Sequence, residues 1–179
     1  QWQTDGKESI QIKQTTMGEK IIPIKQAIQQ TSKKVLLTRY NPSNCMAHAG
    51  KLVSVTDAIN SPSHSLGKIQ REQSKKFTEG LILLWLIYLN DILNLNKSMS
   101  EEQMKLAAVL ICEEFYMLKM ADLTLLFKRI ISGQFGEFYE RLSIDKVMTF
   151  FREYREERFE IAIDQSSRDH INNKQNEKI

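Results

Sequence analysis

The sequence predicts an all-α fold, a single-domain helical bundle of about five or six helices with a polar N-terminal arm. Three observations lead there. Glycine and proline are scarce, seven and three in 179 residues, too few for the many turns of an all-β fold. Apolar residues recur at helical spacing through the second half of the chain. That half also carries helix start and stop signals in order, at Ser100, Asp122, Gly133 and Ser143.

Residues 1–20 are polar, with Trp2 an isolated aromatic, and read as a flexible arm. Residues 21–165 read as the helical domain, its surest part 78–163, and residues 166–179 as a polar tail. A helix is expected from Pro23 to Lys34, with Ile24, Ala27 and Ile28 as a narrow apolar stripe. Asn41–Pro42–Ser43–Asn44 has turn composition. Ala47 to Ile59 carries Leu52, Val55 and Ile59 at helical spacing, and Ser61–Pro62–Ser63 breaks it.

A long helix is then expected from Ser65 to about Asn94. Gly80, which costs roughly 1 kcal/mol relative to alanine in a helix, is its expected kink. The apolar run Leu81–Leu89 is ended by Asn90 and Asp91, and a membrane span needs about 20 apolar residues. It reads as a central core helix, apolar on most faces because other helices surround it.

Ser100–Glu101–Glu102–Gln103 has the form of a capping box. The following helix is expected to place Leu106, Leu110 and Phe115 near one side. Asp122 suits the positive end of the next helix, whose apolar face is Leu123, Leu126, Phe127 and Ile130. Gly133 suits a C-terminal cap, and Gly133, Phe135, Gly136 and Tyr139 read as a structural corner. Ser143 caps the last helix, whose stripe is Ile144, Val147, Phe151, Tyr154 and Arg158.

The net charge of +3 hides an asymmetry. Residues 1–80 hold twelve Lys and Arg against six Asp and Glu; residues 81–179 hold thirteen against sixteen. A basic half can bind phosphates or an acidic protein face. The candidate nucleic-acid contacts are Lys25, Lys33, Lys34 and Arg39 in an acid-free stretch, and the cluster Lys68, Arg71, Lys75 and Lys76. The segment from Arg152 to Arg158 interleaves arginines with acids, which suits a solvated helix or a partner-docking ridge with Tyr154, Arg155 and Arg158 as its anchors.

Enzymatic equipment is sparse. His48, His64 and His170 are scattered, and none stands at metal-ligand spacing from a Cys, Asp or Glu. Gly133-x-x-Gly136 lacks the Lys-Ser/Thr of a phosphate loop and follows a helix. Cys45 and Cys112 form no CxxC pair, and Cys112, in an apolar helix, reads as a buried thiol. No catalytic residue, metal or cofactor is indicated. Glu113, Glu114 and Asp122 would be the first residues to test in an enzyme.

The strings Leu118–Lys119–Met120–Ala121–Asp122–Leu123, Phe127–Lys128–Arg129, Gly133–Gln134–Phe135–Gly136–Glu137–Phe138–Tyr139 and Tyr154–Arg155–Glu156–Glu157–Arg158 carry a resemblance. The pattern L-x-x-A-D-L … G-x-[FY]-G-x-x-Y … Y-x-x-x-R, over residues 78–160, resembles an uncharacterised family of small all-helical proteins of Bacteroides-type bacteria, their phages and mobile elements. The resemblance implies a cytoplasmic protein without catalysis, and its setting suggests a role beside phage replisome organisers or helicase loaders.

The expected function is therefore a non-enzymatic interaction protein, acting in DNA replication or maintenance of a phage or mobile element and contacting DNA or a replication protein. The alternative is a self-associating structural or regulatory protein with no nucleic-acid role. Its homo-oligomer face would be built from Leu81–Leu89 with Phe135, Phe138 and Phe150.

Overall fold

The computed structural model describes the backbone of residues 12–136 and 141–176, and the side chains of 26–136 and 141–168. Among the described residues there are eight α-helices: α1 (Ile12–Arg39), α2 (Pro42–Ala47), α3 (Val55–Asn60), α4 (Leu66–Glu72), α5 (Lys75–Leu93), α6 (Glu101–Glu114), α7 (Met120–Ile131) and α8 (Ile144–Asn176). The fold is all-α, with more helices than the expected five or six. The chain divides into two units, one ending at Thr38 and one starting at Arg39.

Most of α1 lies in the first unit. It starts well before the expected Pro23, within the segment read as an arm, and runs on through Val35–Leu36–Leu37. Its Gln, Lys, Glu and Ile residues are tolerable helix formers, and these outweigh a single interior proline. Ile28 and Val35 are exposed.

In the second unit the expected helix from Ala47 to Ile59 is replaced by three short pieces: α2, one 3₁₀ turn (Ala49–Lys51) and α3. Local caps decide this. The Asn41 side chain accepts the Ser43 N–H at 2.9 Å, so the predicted turn Asn41–Pro42–Ser43–Asn44 becomes a helix start with Pro42 in its first turn. Ser54 and Asp57 make a reciprocal capping box that restarts the chain as α3.

The expected helix from Ser65 to Asn94 is broken at Gln73–Ser74, not at Gly80. The Ser74 hydroxyl oxygen accepts the Phe77 N–H at 3.1 Å and caps α5. Gly80 lies inside continuous helix.

The core is centred on α7, where every residue from Met120 to Phe127 is buried. This helix packs against α2, α3, α5 and α8. Helix α5 packs against four helices as well, α2, α4, α6 and α7, so the Leu81–Leu89 run is a core element as expected, though other helices do not cover every face of it. Helix α5 buries Leu81, Ile82, Trp85, Leu86 and Leu89 but leaves Leu84 and Ile87 in solvent.

Aromatic edges tie the layers together. Trp85 meets Phe127 at 5.0 Å between centroids, Phe127 meets Phe151 at 6.3 Å, and Phe151 meets Phe115 at 5.1 Å. The Trp85 indole N–H donates to the Tyr40 carbonyl at 3.0 Å.

The capping box at Ser100 forms as its residues predict, with Gln103 reaching back to the Ser100 N–H at 2.9 Å. Helix α6 turns Met104, Ala107, Ala108, Ile111 and Cys112 inward; of the residues expected near one side, Phe115 is buried and Leu106 is exposed. After α7, Gly133 has φ +77°. Its N–H reaches the Ile130 carbonyl and the Gln134 N–H reaches Arg129, which is a Schellman closure.

Phe135 packs on Phe150 at 5.0 Å and Gly136 has φ +92°, while Tyr139 and Phe138 lie outside the described residues. Phe150 is buried, so it is not part of an exposed oligomer face. Helix α8 buries Val147, Phe151 and Tyr154 as expected, then continues through the predicted tail to Asn176.

Candidate docking site

Asp122 is the third residue of α7, and one of its carboxylate oxygens reaches back to the Lys119 N–H at 2.7 Å. The other oxygen accepts the Tyr154 hydroxyl at 2.9 Å and the Arg158 Nε–H at 3.0 Å. Tyr154 and Arg158 are four apart on α8 and so share a face. Asp122 is fully buried, and a buried carboxylate is tolerated when a cation and hydrogen bonds compensate it. Burial, and then the Asp122 charge, push the Tyr154 phenol well above its ordinary range. Tyr154 is thus a core residue that anchors α8 on α7, not an exposed partner anchor as its sequence position suggested.

Two further groups of charges clamp the same helix. Arg129, in the last turn of α7, pairs both terminal nitrogens with Glu157, and its guanidinium lies 5.7 Å from the Tyr154 ring centroid. Glu114, at the end of α6, accepts Arg152 through Nε at 2.8 Å and through a terminal nitrogen at 2.9 Å. Arg155 adds a third contact at 3.2 Å. The hydrogen bond from Arg152 is the main cause that holds the Glu114 carboxyl below its usual range. Arg155 also lies over the Phe115 ring at 5.3 Å and bonds Glu156.

Above this network lies an open groove of about 350 Å³, lined by Met117, Arg155, Glu156, Arg158 and Phe159. Phe159 is 62% exposed and Met117 41% exposed. Arg155 spends its donors on Glu114 and Glu156. Arg158 spends only Nε, and its two terminal nitrogens have no hydrogen-bond partner among the described residues. The groove therefore offers a thioether, a phenyl ring and one guanidinium edge fixed in place by a buried carboxylate.

Of the predicted docking residues, Arg155 and Arg158 meet here. Met117 and Phe159 join them, and the only sequence signal for either is that Phe159 stands at i,i+4 from Arg155. The α6–α7 loop that carries Met117 is held to the start of α4: Leu66 N–H bonds Leu118 at 2.9 Å, and Gly67 N–H bonds Tyr116 at 2.7 Å. A Cβ on Gly67 would stand 3.2 Å from the Tyr116 carbonyl oxygen, so glycine permits this approach.

The candidate nucleic-acid residues are divided between the two units. Lys25, Lys33 and Lys34 belong to the first; the Lys25 side chain is outside the described residues, Lys33 is half-buried and Lys34 is exposed. In the second, Arg39 is exposed and its guanidinium lies 5.5 Å from the Tyr40 ring centroid. Lys68 pairs with Glu72 at 3.7 Å, and Lys75 with Glu113 at 2.6 Å. Arg71 and Lys76 are exposed and make no ion pair among the described residues.

The carboxylates weighed as catalytic groups each face cations: Glu113 faces Lys75, Glu114 two arginines, and Asp122 Arg158. Among the described residues no three His, Cys, Asp or Glu side chains gather as a metal site requires, and no helix is long and apolar enough to cross a membrane. No protein-family model matches the chain, and neither a curated protein nor a solved structure matches it.

Proposed function

We propose that the protein is a non-enzymatic interaction protein that receives a protein partner in the groove between the α6–α7 loop and α8. The observation that carries this reading is the exposed Met117–Phe159 pair beside the unspent edge of Arg158. An apolar side chain of the partner fits between the thioether and the phenyl ring, and a carboxylate next to it fits the guanidinium, which favours paired acceptors. Asp122 and Glu114 hold the two arginines before binding, which lowers the ordering cost of association. The setting, replication or maintenance of a phage or mobile element in a bacterial cytoplasm, rests on the sequence pattern of residues 78–160 alone.

Panning a random peptide library on the full chain tests this. Enriched peptides should combine a large apolar residue with Asp or Glu, and should lose binding to Phe159→Asp while keeping it for Lys76→Ala. Enrichment of peptides indifferent to Phe159→Asp would refute the groove as the docking site.

DNA contact is the second reading, favoured by the exposed Arg71 and Lys76, which make no ion pair among the described residues. Anisotropy of labelled DNA over a salt series tests it. Steep weakening with salt that is reduced by Arg71→Ala and Lys76→Ala is the expected result, and no binding at low salt removes it.

A further inference from the structure

The outer face of α5 is a stripe with two apolar side chains in its middle and a charge at each end, in a helix whose opposite face fills the core. Lys76, Gly80, Leu84, Ile87 and Asp91 follow one another at intervals of four, four, three and four residues, and so lie along one face. All five are exposed, Leu84 by 39% and Ile87 by 36%. The stripe is about 22 Å long at 1.5 Å per residue. Lys76 and Asp91, at its two ends, make no ion pair among the described residues, and the space around Gly80 where a Cβ would stand is open.

The stripe is complementary to itself. Lys76 and Asp91 are equidistant in sequence from the midpoint between Leu83 and Leu84, and so are Gly80 and Ile87. Two copies laid antiparallel about that midpoint set Lys76 of one against Asp91 of the other at both ends. Ile87 of one copy then meets the bare backbone of Gly80 in the other, and Leu84 meets its counterpart near the axis. A twofold interface needs this property, since one patch must suit its own image. Glycine lets two helix backbones approach closely, and opposite charges at the ends fix direction and register.

We infer that the protein forms a homodimer through α5, with the two helices antiparallel and a second copy of this chain as the occupant of the stripe. A parallel pairing would set Lys76 against Lys76 and Asp91 against Asp91, so the charges select the antiparallel one. The inference is independent of the groove, which lies on other elements.

Sedimentation equilibrium of the full chain over a concentration series tests it, with circular dichroism to show that each variant keeps its helices. The wild type should dimerise. Leu84→Glu should raise the dissociation constant by about tenfold or more, because it puts a carboxylate in the centre of the interface. Lys76→Asp and Asp91→Lys should each weaken the dimer several-fold, and the double variant should restore it, since the swapped charges meet again. A wild type monomeric at every concentration overturns the inference and leaves the stripe to a different partner. A dimer indifferent to Leu84→Glu, or a double variant weaker than both singles, overturns it as well.

Discussion

The Tyr154 hydroxyl donates to Asp122 at 2.9 Å across the α7–α8 interface, and both residues are fully buried. Arg158 donates to the same carboxylate oxygen from one turn further along α8. One carboxylate thereby sets both the seating of α8 on the core and the direction of the arginine that faces the groove. Tyr154→Phe leaves the carboxylate one donor short in a buried place. The expected loss is about 1–3 kcal/mol of stability in urea melts. A change below a few tenths would mean that Asp122 is satisfied without the phenol.

His64 predicts a pH dependence. Its backbone N–H donates to the Tyr40 hydroxyl oxygen at 3.0 Å, and His64 Nδ1 lies 2.7 Å from the same oxygen, where the neutral ring can accept the phenolic hydrogen. Burial, then the charges of Lys68 and Arg39, lower the His64 pKa below 6.5, with Glu72 opposing them. The folded state thus favours the neutral ring, while the unfolded chain takes up a proton near pH 6.5. The contribution to stability is present above that pH and is lost as pH falls through the folded pKa. Urea midpoints should decline from pH 7.5 to 5.5, and less so in His64→Gln. Equal slopes in the two proteins would contradict the assignment.

The two thiols should differ in reactivity. Burial first, and then Glu79, push the Cys112 thiol up to about 12, and its side chain is 1% exposed. Cys45 is only half-buried, with its pKa raised by burial. At pH 8 a thiol reagent should label Cys45 first and leave Cys112 untouched until the protein unfolds. Equal labelling rates in the folded protein would show that α6 opens.

Two glycines separate backbone strain from interface space. Gly133 has φ +77°, so Gly133→Ala should cost about 1–2 kcal/mol even though nothing crowds its Cβ. Gly80 lies in regular helix with open space around it, so Gly80→Ala should stabilise the isolated fold by up to about 1 kcal/mol. If α5 pairs with α5, the same Gly80→Ala change weakens the dimer. A higher melting temperature together with a larger dissociation constant is the expected signature.

What the sequence made legible was local. The Ser100 capping box, the Gly133 closure and the α7 stripe are each written within a few residues, and all three appear in the structure. The break before α5 is hard to see in the sequence because Ser74 lacks a Glu or Gln three residues on, while Gly80 has the more conspicuous weakness. That one face of α5 stays uncovered depends on which helices pack on it, and periodicity does not carry that information. The groove was half legible. Arg155 and Arg158 stood out by type, but Met117 and the clamp between Glu114 and Arg152, 38 residues apart, exist only once the chain has folded.

The Met117 ε-methyl resonance gives the most direct test of the docking groove. With methionine methyls carrying ¹³C, the full chain is titrated with a peptide from the panning experiment. The Met117 signal should shift and saturate, while that of Met120, only 1% exposed, stays in place. A saturable complex that leaves Met117 unmoved would show that the partner docks elsewhere and would contradict the proposed function of the groove.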